Sequence, residues 1–385
     1  MNCTPSKISQ IEKIFRENFE RRGELGASLS IWHEGRELVS LAGGFVDRHA
    51  ARPWTARTPV LVWSCTKGLA AACVIHALQT EGVSLGTPVS VLWPEFAQGG
   101  KEQVTVAQLL SHQAGLAALD HSVPVQEYGA VVSALAAQVP NWPLESGHGY
   151  HPRTYGWLLD EILRRVDGTP GMTLGRYWRT YFGVPMGLDF WIGDLPREVA
   201  ETVSPVYLPK TGMPPRSPLF YKALHKRDSL TARAFHSPHG LTAITSMNTP
   251  EARNLSFPAF GGIGTAHALA KFYAMLAEGG ALNGMRLFDS IAPMTTPLVN
   301  GPDHILLRPT AFSAGFMHDP VDESGKKLRR LFGPSVQAFG QPGSGGSLAF
   351  ADPENRISFA YVMNQMAPGV MPNERALDLV EAIYA

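Results

Sequence analysis

The sequence predicts an α/β protein of the α+β kind, in which one antiparallel sheet is built from both chain ends and a mostly helical stretch is inserted between them. Three observations carry this reading. A helical pattern over 6–22 is followed at once by a hairpin pattern over 27–32 and 38–42. Strand patterns return only late, at about 311–317, 336–340, 346–351 and 356–363, before a last helical stretch at about 373–384. The long middle is dominated by helical periodicity and by proline.

Taken in order, Ile8, Ile11, Ile14, Phe15 and Phe19 recur at helical spacing. Glu34-Gly35 is the turn signal between the first two strands. Ser64 opens an apolar segment, 69–78, that is long enough for a buried helix and is closed by Glu81-Gly82. Thr105 reads as the N-cap of a helix over 106–112, and helical patterns cover about 125–138, 154–166 and 266–278. Prolines at 205, 209, 214, 215, 218, 238 and 250 predict an irregular surface excursion over about 205–258. Asp352-Pro353-Glu354-Asn355 is a turn between the last two strands. The expected division is a sheet domain from 1–72 and 310–385 and a helical subdomain over 73–309, with the ligand cleft between them.

Composition narrows the function. At 385 residues the chain has the length of roughly two to three domain units, enough to bury a core without staples. Lysine plus arginine equals aspartate plus glutamate at 33 each, so nothing steers the protein toward nucleic acid or an anionic membrane, and a small-molecule partner is expected. The cluster Lys326-Lys327-Leu328-Arg329-Arg330 reads as a solvated loop. Cys3, Cys65 and Cys73 form no disulfide framework. His236-Ser237-Pro238-His239 lacks the pattern of a metal site, and neither metal nor cofactor is expected. The N-terminal stretch lacks the apolar core of a secretory signal, and no apolar run reaches the roughly 18 residues of a spanning helix. The expectation is a cytoplasmic protein with no membrane partner.

Three elements carry chemistry. Ser64-Cys65-Thr66-Lys67 places a hydroxyl and an amine one helical turn apart, at a helix N-terminus whose dipole favours a developing oxyanion. Burial against Leu69, Ala70 and Ala71 is expected to lower the lysine pKa, so that it can activate Ser64. Tyr150-His151-Pro152 precedes a helical pattern. A nearby ammonium would lower the Tyr150 phenol below its usual value of about 10 and make it a general base. In 339–347, the glycines let backbone approach a ligand, and the Ser344 N–H can pair with that of Ser64 as an oxyanion hole. Each element has a bland reading: a helix cap, a packed tyrosine, a tight turn.

Several look-alikes are set aside. Ser324-Gly325-Lys326-Lys327 repeats the S-x-x-K pattern without an apolar helix behind it. Lys210-Thr211-Gly212 lies in the proline-rich excursion, ahead of the sheet-forming C-terminal segment, and Ser246-Met247-Asn248 comes after it rather than before. The lipase-type G-x-S-x-G is absent, and Ala311-Phe312-Ser313-Ala314-Gly315 reads as a strand facing the core. Trp63, Trp157, Phe220 and Tyr221 are candidates for an acyl pocket or simply for the core.

The three elements, in this order, resemble the penicillin-binding-protein superfamily: class C β-lactamases, DD-peptidases and, most closely, family VIII carboxylesterases. The resemblance covers nearly the whole chain and is supported by 63–70, 105–116, 150–159 and 339–353. It implies a β-lactamase/transpeptidase-like fold with Ser64 as nucleophile, Lys67 as its partner and Tyr150 as base. The stretch 109–116 would support the site structurally, and Gln341, Gly343 and Pro152 would stand at the substrate. Two departures matter. Pro152 replaces the asparagine that helps hold an amide side chain in the β-lactamases, and Gln341 replaces the lysine or histidine that opens the third motif. Both imply a small or medium neutral carboxylic ester, hydrolysed through an acyl-enzyme on Ser64, with weak β-lactam hydrolysis at most. The rivals are a β-lactamase or DD-peptidase, which normally needs a periplasmic address, and a non-catalytic scaffold homologue, against which the intact Ser64, Lys67 and Tyr150 speak.

Overall fold

The computed structural model describes residues 5–49, 51–210 and 217–385. Cys3 and the Thr211-Gly212 half of the K-T-G look-alike lie outside them. Helix α1 (Pro5–Arg21) buries Ile11, Ile14 and Phe15 and leads into strands β1 (Gly26–His33) and β2 (Arg36–Gly44). The middle of the chain holds α2 (Thr66–Thr80), α3 (Val106–Leu110), α4 (Tyr128–Ala137), α5 (Tyr155–Asp167), α6 (Pro218–His225), α7 (Leu230–His236) and α8 (Ala266–Ala277). Then come β3 (Val299–Pro302), β4 (Pro309–Phe312), β5 (Met317–His318), β6 (Phe339–Pro342), β7 (Leu348–Asp352), β8 (Ile357–Met363) and helix α9 (Glu374–Tyr384).

The eight strands form one antiparallel sheet in the order β2-β1-β8-β7-β6-β5-β4-β3. The two chain ends meet at β1 and β8, whose register runs from Ala27 opposite Met363 to His33 opposite Ile357. Every residue of β8 is buried, because helices cover both faces. Side chains three apart on a strand point to opposite faces. Accordingly, Ser358 Oγ donates to Ala270 O of α8 at 2.7 Å, while the Tyr361 ring lies 6.4 Å from that of Phe15 on α1. The Tyr361 hydroxyl donates to Glu24 at 2.6 Å, and Arg375 of α9 pairs with the same carboxylate at 3.1 Å. Strand β8 and the C-terminal helix are thereby tied to one buried carboxylate in the turn after α1.

Helix α2 is the centre of the molecule. Twelve of its fifteen residues are buried, so it has no polar face, as expected of a helix enclosed on all sides. Leu69 and Leu78 are each almost completely buried, worth about 1.5–3 kcal/mol apiece. Cys65 and Cys73 are free and buried. Thr105 caps α3 through a capping box with Gln108, though the helix ends at Leu110 and His112 turns out with φ +64°.

Other expectations change. The 311–317 pattern is not one strand: β4 stops at Phe312, and the chain turns before β5. Gly315 enables that turn with φ +86°, at a point where a Cβ would lie 2.1 Å from that of Ala71. The excursion 205–258 contains α6, α7 and a short helix at Pro250–Asn254, since Pro218 and Pro250 sit in the first turn, where the missing N–H costs nothing. Strand β3 went unread because Val299–Pro302 holds a proline and a glycine. The basic cluster is not simply solvated. Lys327 and Arg329 fold onto buried Asp319 at 3.0 and 3.5 Å, and their side chains are only 5% and 12% exposed. Among the described residues, no helix is long and apolar enough to cross a membrane.

Candidate active site

Ser64 sits in a single 3-10 turn, Trp63–Cys65, that runs into α2. Trp63 has φ +51°, a left-handed conformation that is unfavourable for a bulky residue and persists only when its surroundings enforce it. They do. Val62 N–H donates to Gly262 O at 2.9 Å, Thr66 Oγ1 donates to Trp63 O at 2.5 Å, and Gly262 N–H donates to that hydroxyl at 2.9 Å. Cys65 adds a tether from its thiol to Gln341 O at 3.1 Å, joining the start of α2 to β6. Burial raises the Cys65 thiol pKa, so it stays protonated beside the serine.

Lys67 is 1% exposed. Its Nζ lies 3.2 Å from Ser64 Oγ and 2.8 Å from each of the carbonyl oxygens of Pro152 and Ala259. Burial holds its pKa well below the usual 10.5, in the direction the sequence implied. A neutral amine has two N–H donors and one lone pair. In the structure Nζ donates to both carbonyls and to Ser64 Oγ; on losing a proton it would keep two donors for the carbonyls and turn its lone pair to the Ser64 hydroxyl. Pro152 therefore serves through its backbone oxygen, which any residue type can supply.

Tyr150 corrects an expectation. Burial pushes its phenol above 10, and the hydrogen bond to Ser64 only partly offsets this. Lys67 lies over the ring, 4.7 Å from its centroid, but it is not among the groups that shift the phenol, where burial dominates. The phenol is therefore protonated at rest. The Gln341 side-chain amide donates to Tyr150 Oη at 3.4 Å. Gln341 is 1% exposed, so it supports the tyrosine from behind and does not line the cavity. Gly343 is also set back. A Cβ there would lie 2.3 Å from Val62 O, so its glycine serves the close packing of β6 on the serine turn.

The stretch 109–116 supports this arrangement. The His112 ring packs 5.1 Å from that of Tyr150, and its Nδ1 accepts from His151 N–H at 3.2 Å. Leu110 O accepts from the Tyr155 hydroxyl at 2.7 Å. Sequence reading missed Asp303. This buried carboxylate accepts from Tyr150 N, from Ile305 N and Leu306 N at 2.8 Å, and from Thr310 Oγ1 at 2.9 Å. No motif marks it; only its place in a tight loop before β4 brings it to Tyr150.

Ser64, Tyr150, Pro152 and Ser344 line one cavity of about 420 Å³. Its remaining wall is largely apolar, with Trp63, Phe220, Tyr221, Leu224, Phe260 and Met371 prominent. Trp157 does not line it and packs instead against Phe257, 5.8 Å between ring centroids. Arg153 stands in the wall but is engaged: it donates to Gly240 O at 2.6 Å and lies over the Phe260 ring. Of the look-alikes, Asn248 accepts from Val206 N–H and donates to Val206 O, both at 2.8 Å, and Ser324 bonds Asp322 in its own turn. Among the described residues, no group of histidine, cysteine or acidic side chains could hold a metal ion.

A serine within hydrogen-bond reach of a buried amine, beside a tyrosine and lining a largely apolar cavity, fits a serine hydrolase of the β-lactamase fold. The Beta-lactamase family model matches residues 11–382, and the chain belongs to that family. It is 30% identical to the esterase/β-lactamase LipL of Mycobacterium tuberculosis, over 96% of this chain and 84% of the relative. Among solved structures it resembles a penicillin-binding-protein homologue from Caulobacter crescentus (37% identity, TM-score 0.85) and a family VIII carboxylesterase (33%, TM-score 0.84). In each case the match covers 100% of this chain and 98% of the other.

Proposed function

We propose that this enzyme is a carboxylesterase that cleaves small or medium esters, neutral around the scissile bond, through an acyl-enzyme on Ser64. The observation that carries this reading is the buried Lys67 amine, 3.2 Å from Ser64 Oγ, with Ser64 lining a largely apolar cavity. The names of its relatives, an esterase/β-lactamase and a family VIII carboxylesterase, point the same way.

In this mechanism Ser64 Oγ attacks the ester carbonyl as its proton passes to Lys67. The Ser64 and Ser344 N–H groups receive the oxyanion. The proton returns by way of the Tyr150 hydroxyl to the leaving alkoxide, and the alcohol departs. Water then enters, and the same relay runs in reverse to release the acid and restore Ser64. The test is kcat/KM for p-nitrophenyl butyrate beside benzylpenicillin and a cephalosporin on one preparation. The ester should be much the better substrate. A β-lactam turned over more efficiently would make the enzyme a β-lactamase instead.

A further inference from the structure

Beside the catalytic cavity lies a second cavity of about 390 Å³. The two share Phe220, Tyr221, Leu306 and the segment 368–371, so they adjoin directly. The second cavity differs in charge: Arg308, Arg329 and Arg330 stand in its wall against a lone acid, Glu381. Arg329 is committed, donating to Pro309 O at 3.1 Å with its Nε 3.5 Å from Asp319. Asp319 has no capacity left for the others, since it also takes Lys327 Nζ and the backbone N–H groups of Leu331 and Phe332. Arg308 and Arg330 make no side-chain hydrogen bond or ion pair among the described residues. Arg308 is nevertheless half-buried, and burial lowers its pKa.

None of the Arg308 nitrogens is a buried atom lacking a partner, so its guanidinium donors stand open to a ligand entering the cavity. The paired planar donors of arginine match carboxylate and phosphate oxygens. We propose that this cavity is an anion-binding subsite in which Arg308 and Arg330 hold a carboxylate or phosphate. The anion is either the end of the ester remote from the scissile carbonyl or a free anion bound beside the substrate. The first source rests on the ester-hydrolase reading; the second does not.

The test compares mono-p-nitrophenyl suberate with p-nitrophenyl octanoate, which share chain length and differ in the distal carboxylate. It uses the wild type and the Arg308→Met and Arg330→Met variants, and calorimetry of inorganic phosphate and suberate accompanies the kinetics. If the anion belongs to the substrate, the wild type prefers the suberate ester and either variant cuts that preference about tenfold. If the anion is free, the esters are equivalent, but phosphate or suberate binds the wild type and binds the variants about tenfold more weakly. The proposal is overturned if there is neither preference nor binding, or if both variants retain what the wild type shows. Arg330 is exposed, so its variant keeps the test valid should Arg308→Met fail to fold. If neither ester is hydrolysed, the ester reading falls, and calorimetry alone decides the subsite.

Discussion

Both carboxylate oxygens of Asp303 lie 3.1 Å from the backbone nitrogen of Tyr150, across 153 residues of sequence. The same carboxylate closes its own loop on Ile305 and Leu306 and takes the Thr310 hydroxyl, which in turn meets His148 Nε2 at 2.7 Å. Tyr150 is thus held from behind by a preassembled acceptor.

Asp303→Ala would strand these donors in a buried site, at about 1–3 kcal/mol for each one left unpaired. We expect a clear fall in Tm and a drop in kcat larger than the change in KM, with Asp303→Asn recovering part of both. A folded Asp303→Ala enzyme with wild-type kcat would show that the carboxylate does not position Tyr150.

Ser64→Ala should abolish turnover of p-nitrophenyl butyrate and labelling by a fluorophosphonate while leaving the circular dichroism spectrum unchanged. Peptide mapping of the labelled wild type should find the adduct on Ser64. An adduct elsewhere would remove Ser64 from the mechanism.

Because burial depresses Lys67 and the mechanism needs its free amine, kcat/KM should fall as pH drops through the lowered lysine pKa. The acid limb should therefore stand well below the usual 10.5. Lys67→Arg, which keeps a cation that cannot lose its proton in this range, should be inactive at every pH tested. A variant that recovers activity at any pH would refute the amine as base.

Lys67→Ala and Tyr150→Phe should each cost orders of magnitude in kcat, and the double variant should be scarcely worse than the poorer single one, because the groups share one proton relay. Losses that multiply would place the two residues in separate steps.

Arg375 and Glu24 form a buried pair at 3.1 Å that joins the C-terminal helix to the turn after α1. Arg375→Met leaves Glu24 enclosed without its partner, which typically costs about 3–5 kcal/mol. Urea unfolding should show this as a lower midpoint. An unchanged midpoint would mean that the pair contributes nothing net.

Much of this molecule was legible in local pattern. Apolar spacing marked α1, an apolar run marked α2, strand and helical patterns marked β1, β7, β8 and α9, and Ser64, Lys67 and Tyr150 stood out because their chemistry is tied to short motifs. Other features depended on how deep each group lies once the chain is folded. Motif chemistry suggested that a nearby lysine ammonium would lower the Tyr150 pKa, but burial raises the phenol and lowers the amine. Gln341 and Gly343 belong to a motif associated with substrate, yet tertiary packing turns one to Tyr150 and uses the other for the approach of β6 to Val62. Asp303, Arg308 and Arg330 carry no motif at all. Periodicity and motif chemistry are properties of neighbours along the chain, whereas desolvation, charge pairing and cavity walls are set by neighbours in space, and those are assigned only when β1 and β8 bring the two ends of the chain together.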